Sequence, residues 1–219
     1  MAIATQRMAP GPSATILALV AADGTMAAAH ARSLSLNTAL LRDVADAVHA
    51  LCVIHGAFPG IVDHALATCT DDTVRAWLTR AVEVAARERA MLARLTAAVG
   101  PLPSTPGHAA SEAAILAQRH ALEMLARSDR IGCASGAAIA FVLDWAAVRR
   151  ILDNCAARIG IDPFDDFDAP VADAAAMLAD LVVSPGSERA MAFGAQQMLA
   201  QHRGLWHLLE ARASARSAM

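Results

Sequence analysis

The sequence predicts an all-α protein, a single-domain bundle of six to seven helices, and three observations carry that expectation. Apolar residues recur at steps of three and four along most of the chain, the spacing that gathers them on one helical stripe. Ala, the best helix former, supplies 55 of the 219 residues. Runs of clean period-two alternation bounded by turn residues, the signature of strands, are not found.

Residues 1–35 form an N-terminal segment that reads as partly irregular. Met8-Ala9-Pro10-Gly11-Pro12 is loop, Thr15 to Ala22 suits a short helix or an edge strand, and Asp23-Gly24 is a turn signal. The bundle proper spans 36–212. Its opening helix runs from Leu36 to His55, with Leu41, Val44, Val48, Leu51, Cys52 and His55 on one stripe. Phe58-Pro59-Gly60 closes it, because Pro restricts the residue before it and Gly is permissive. A short helix follows over Ile61 to Cys69.

Thr70-Asp71-Asp72 supplies an N-cap for a helix over about 72–99, with Arg87, Glu88, Arg89 and Arg94 on its solvated side. The stretch 100–107, rich in Pro and Gly, is the strongest break in the chain, and Thr105-Pro106 reads as N-cap and first helical residue of the next element. That helix ends near Ser128. A long one follows over about 129–159, opening with Gly132, Gly136 and Ala140 at fourfold spacing, which permits close helix approach, and stopping at Gly160. Beyond the acidic loop 162–170 come helices over about 171–183 and 187–212. The second carries Met191, Ala195, Met198, His202, Leu205 and Leu209 on one stripe. The Arg-, Ser- and Ala-rich tail 213–219 reads as frayed.

Composition excludes several function classes. A formal charge of −3, with all 18 basic residues being scattered Arg, offers no field for nucleic acid. Ile131 to Leu143 is the longest uncharged apolar stretch in the middle of the chain. It falls short of the ~20 residues a membrane span needs. Arg7, Pro10 and Pro12 ahead of a short apolar run make a poor secretory signal, and the four Cys are widely spaced with no C-x-x-C. The expectation is a cytoplasmic protein with reduced, buried thiols.

Two sets of residues carry potential chemistry. The first centres on Asp144, flanked by Ile139-Ala140-Phe141-Val142-Leu143 and Trp145-Ala146-Ala147 and so placed deep in a helix. A buried carboxylate must pair, accept hydrogen bonds or hold a proton. Pairing with an Arg such as Arg119, Arg149 or Arg150 is the expected solution, and the alternative is a perturbed acid or ligand anchor. Arg119, His120, Glu123 and Trp145 complete this set of ligand or buried-polar candidates. The second set is a metal site drawn from Asp46, His49, His55, His120 and His202, since facing helices with imidazole and carboxylate groups build di-iron or di-manganese centres. No Glu is followed three residues later by His; Asp46 and His49 alone have that spacing. Hydrogen-bonded core histidines are the simpler account. No P-loop, nucleophile elbow or C-x-x-C-H haem attachment is present, and no catalytic set is complete.

The segments Pro103-Ser104-Thr105-Pro106-Gly107, Glu112, Ala117-Gln118-Arg119-His120-Ala121-Leu122 and Ser128-Asp129-Arg130-Ile131-Gly132-Cys133-Ala134, running to Leu143-Asp144-Trp145, resemble an uncharacterised helical family of high-GC Alphaproteobacteria. The likeness reaches back to His55-Gly56-Ala57-Phe58-Pro59-Gly60. It implies bacterial origin and a domain of unknown function, and carries over no catalytic residue. A looser likeness to ferritin-like or haem-oxygenase-like bundles rests on helix count alone.

The resulting expectation is a cofactor-free, non-catalytic bundle that binds a protein partner or a small apolar ligand, as a homodimer. Helix faces of Ala and Gly and stripes containing Met191 and Met198 motivate it. The alternative is an oxidoreductase using iron, manganese or haem in the bundle core.

Overall fold

The computed structural model describes residues 12–162 and 168–218. They form nine α-helices: α1 Pro12–Asp23, α2 Ala29–Leu34, α3 Leu41–His55, α4 Ile61–Thr68, α5 Asp72–Ala98, α6 His108–Ala126, α7 Cys133–Ile159, α8 Asp168–Asp180 and α9 Pro185–Ser217. A single 3-10 turn, Thr25–Ala27, lies between α1 and α2, and no strand occurs among these residues. The all-α expectation holds. The segment 15–22, open between helix and strand, is helical within α1, and Met8 to Gly11 fall outside the described residues.

Helix α7 is central. Its first half is an almost unbroken run of small and apolar side chains, and Cys133 through Val142 are all buried. Such a run can be hydrophobic on every side only if other helices surround it. Helix α9 packs along it most extensively, and glycine sets the distance. A Cβ built on Gly136 would lie 2.1 Å from the carbonyl oxygen of Met191, and one on Gly194 would lie 2.0 Å from that of Cys133. The two backbones therefore meet without side chains between them. This is the close approach that Gly132, Gly136 and Ala140 foretell. Met191 and Met198 are buried in the core, and neither lines the cavity beside His55.

Most helix limits follow local chemistry. Asp71 accepts a hydrogen bond from the amide of Val74 (3.0 Å), and Ser184 accepts one from Ser187 (3.2 Å) ahead of Pro185. Gly160 ends α7 at φ +72°, in the left-handed region. One expected cap is displaced. Helix α6 is entered from Gly107 at φ +69°, not from Thr105, whose hydroxyl is engaged instead by Arg216 at 2.7 Å. The long helix also starts later than expected, at Cys133.

At the other end, α9 continues through 213–217, where a frayed tail was expected. Arg212 and Arg216 extend the inward stripe of Leu205 and Leu209, and both are buried against Asp46 of α3. The C-terminal turns are thereby pinned to the bundle.

Candidate functional site

Asp144 is where the sequence pointed, but its partners differ from those expected. Its side chain is 2% exposed, and no Arg reaches it among the described residues. Instead Nδ1 of His202 lies 2.6 Å from Oδ2. Thr25 gives two further hydrogen bonds, from its amide to Oδ1 (2.6 Å) and from its hydroxyl to Oδ2 (2.7 Å). The indole N–H of Trp206 donates in turn to the Thr25 hydroxyl (3.0 Å). Burial alone would favour the neutral acid. The imidazole of His202 and the Thr25 donors outweigh it and hold the Asp144 pKa below its ordinary value, so the carboxylate is ionised. Gly24 makes this geometry possible: a Cβ there would sit 2.6 Å from Asp144 Oδ1 and 2.4 Å from the Val20 carbonyl oxygen.

The chain of bonds continues to a second imidazole. Nε2 of His202 lies 2.9 Å from Nε2 of His55, the last residue of α3. His55 also packs among aromatic rings, with centroids 5.0 Å from Phe141 and 5.3 Å from Trp145. Burial, then the nearby His202, push its pKa well below 6.5, so His55 is neutral. No hydrogen bond to its Nδ1 is found among the described residues.

His55 stands in the wall of a cavity of about 50 Å³ enclosed by α3 to α7. The remaining wall is largely apolar, including Ile54, Val84, Leu92, Leu122 and Phe141. Polar groups at its edges are mostly spoken for. Glu88 receives Arg149 (2.6 Å) and the indole N–H of Trp145 (2.9 Å); Arg89 pairs with Asp63 (2.9 Å) and Arg119 with Glu123 (2.9 Å). Burial raises the Glu88 pKa despite those two partners. His64 also lines the cavity, and its Nε2 is buried without a hydrogen-bond partner. Glu88 was expected on a solvated side; it points inward because it lies three residues after Ala85 and four before Leu92, both of which line the same cavity.

The five residues considered as metal ligands do not gather at one point. Asp46 is enclosed by Arg212, which contacts both of its oxygens, and by Arg216. His49 bonds the carbonyl of Gly100 at 2.9 Å. The side chain of His120 is 74% exposed and reaches only to 4.0 Å from Glu123. His55 and His202 meet, and they meet each other. Among the described residues no group of three or more His, Cys, Asp or Glu side chains could hold a metal ion. Of the other set, Trp145, Arg119 and Glu123 do line the cavity, whereas Asp144 lies one residue behind it.

This architecture belongs to a defined sequence family, whose model matches residues 20–217. The chain belongs to DUF6975, a family of unknown function. No curated protein and no solved structure matches it. The matched span runs from α1 into the last turn of α9, so it takes in Thr25, His55, Asp144, His202 and Arg216 together. None of the helices described in this DUF6975 chain is long and apolar enough to cross a membrane. Its cysteines 52, 69, 133 and 155 are free, and burial pushes the Cys155 thiol up to about 11, which keeps it an inert apolar group.

Proposed function

We propose that this protein binds a small, mostly apolar molecule in the cavity beside His55, with the imidazole as its principal polar contact. The supporting observation is the composition of that wall. Aliphatic and aromatic side chains from five helices surround two imidazoles, His55 and His64, while the charges at the edge are held in ion pairs. Small-molecule pockets share this largely apolar lining with few convergent polar groups, and at about 50 Å³ this one must widen to admit a molecule the size of toluene. The burial of apolar ligand surface supplies the affinity and the imidazole supplies orientation.

The test uses toluene, indole and 1,2-benzisoxazole against the full chain, with an Ala85→Leu variant that fills the cavity. Ala85 lines the cavity and is buried. A ligand present at a hundred times its dissociation constant stabilises by about 2.7 kcal/mol. For a chain of this size that raises the melting temperature by roughly 5–10 °C. The wild type should show such a rise with at least one of the three, and Ala85→Leu should not. An unchanged melting temperature with all three, or equal rises in both proteins, would overturn the reading.

A further inference from the structure

We propose that Asp144, His202 and His55 form a one-ended proton relay that makes His55 the general base of the cavity, acting on a small apolar substrate through a weakly acidic C–H or O–H. The proposal rests on the reading that the cavity takes such a molecule.

Hydrogen-bond bookkeeping leaves two arrangements, since a charged His202 would donate from both ring nitrogens and put the His55 proton on Nδ1, and the relay is the arrangement with His202 neutral. Asp144 accepts throughout, so His202 must carry a proton on Nδ1 to bond it. With His202 neutral, its Nε2 is an acceptor, and the 2.9 Å contact then requires the proton to sit on Nε2 of His55. That fixes His55 in the tautomer whose Nδ1 bears a lone pair. The inner end of the chain is sealed: Asp144, His202, Thr25 and Trp206 are all buried, whereas His55 is half-buried at the cavity. Protons enter and leave from the His55 side.

The reaction follows from that arrangement. His55 Nδ1 takes the substrate proton while its Nε2 proton passes to Nε2 of His202. His55 ends neutral, now protonated on Nδ1. The positive charge appears on His202, 2.6 Å from the Asp144 carboxylate, and never rests on the imidazole in the apolar wall. An isolated buried histidine would have to hold that charge itself, against its desolvation cost. His55 is the group that touches substrate; His202 and Asp144 act through it. The other titratable or charged groups facing the cavity are His64 from α4, Glu88 and Arg89 from α5, and Arg119 and Glu123 from α6.

Nitrogen-15 NMR of the imidazoles, titrated from pH 9 to 5 in the full-length protein, reads the tautomers directly. At high pH His55 should be protonated on Nε2 and His202 on Nδ1. When the pair takes up a proton, the charge should appear on His202 as His55 switches to its Nδ1-protonated neutral form. In Asp144→Asn the amide donates to His202 Nδ1, which moves its proton to Nε2 and locks His55 in the Nδ1-protonated form at every pH. His55 protonated on Nδ1 throughout in the wild type, or becoming cationic before His202, would overturn the relay.

The base role is read with 1,2-benzisoxazole. His55 removes the C3 proton, the C3–H electron pair becomes the third bond of a nitrile, and the N–O bond breaks with its pair left on oxygen, giving 2-cyanophenolate. Ring opening should exceed that by free imidazole at equal concentration by about 10²-fold, the lower range for a positioned base. Asp144→Asn should lose that advantage. If benzisoxazole shifts the resonances of Leu122 and Phe141 without faster opening, the base role is overturned while the cavity reading stands. If it shifts neither, the cavity reading fails and takes the base role with it.

Discussion

Arg212 lays its guanidinium against both oxygens of Asp46, with Nε and Nη2 both within 3.1 Å of the carboxylate, and Arg216 adds a third donor group at 2.7 Å. The bidentate clamp that the sequence suggested for Asp144 is thus built at Asp46. It ties the last turns of α9 to α3 and, through Thr105, to the connection before α6. Removing one partner of a buried pair leaves the other charged and desolvated, at a cost of about 3–5 kcal/mol. Asp46→Ala, which leaves the buried Arg212 without its carboxylate, should lower the urea unfolding free energy by that amount. Arg42→Ala, whose side chain is half exposed beside Asp43, should change it by less than about 0.5 kcal/mol.

The α7–α9 seam makes a steric prediction. At Gly136 and Gly194 an added Cβ meets backbone atoms of the facing helix, which cannot swing aside as a side chain would. Gly136→Ala and Gly194→Ala should each destabilise by about 1–3 kcal/mol or more, as overpacking does. At Gly186 the nearest atom to a new Cβ is Ser184 Oγ at 3.7 Å, and the residue lies in the first turn of α9. Gly186→Ala should raise stability by about 0.4–1 kcal/mol by restricting the unfolded chain. Thermal melts of the three variants separate these outcomes.

The seam also shows which parts of the structure were legible in the sequence. Small residues at 132, 136 and 140 announce close approach, and a carboxylate between Leu143 and Trp145 announces a buried polar centre, because both are statements about one helix. The partners of Asp144 were not legible, since Thr25 and His202 lie 119 and 58 residues away and spacing along a helix does not say which helices face. Two signals were present yet outweighed. Glu88 sits at helical spacing between Ala85 and Leu92, but its neighbours Arg87 and Arg89 gave the segment a solvated look. Arg212 and Arg216 continue the stripe of Leu205 and Leu209, but the surrounding Ala and Ser read as a tail.

Glu88 and Glu123 then offer a controlled contrast, because both line the cavity and both meet an Arg. Glu88 is 5% exposed and holds Arg149 and Trp145 at once. The Arg119–Glu123 pair spans one helical turn with both side chains 40% exposed. Glu88→Ala should cost about 1–3 kcal/mol, because Trp145 loses its buried acceptor while Arg149 keeps Asp153 at 2.7 Å. Glu123→Ala should cost no more than about 0.5 kcal/mol, typical of a solvated pair on a helix. Denaturant titration of both variants checks the ratio, and near-ultraviolet circular dichroism should change for Glu88→Ala as Trp145 loses its acceptor.

Acid should weaken the fold well before carboxylates titrate. Burial holds both His55 and His30 below 6.5 in the folded protein, so between their folded values and 6.5 the unfolded chain binds more protons. Stability then rises with pH across that window, and the contribution is complete above 6.5 and shrinks as pH falls through it. Asp144, held low by His202 and Thr25, adds loss only on the acid side of 3.8. Glu88 has the opposite sign: its raised value favours the fold below 4.5 and yields part of that as pH rises through its folded pKa. One differential proton changes stability by about 1.4 kcal/mol per pH unit. Unfolding free energies measured by urea at pH 7.5 and 5.5 should therefore fall in the wild type. His55→Gln should make the fall shallower, because its unfolded chain no longer takes up that proton. Equal pH slopes in wild type and His55→Gln would mean that His55 is charged in the folded protein, and would contradict its place in the apolar wall.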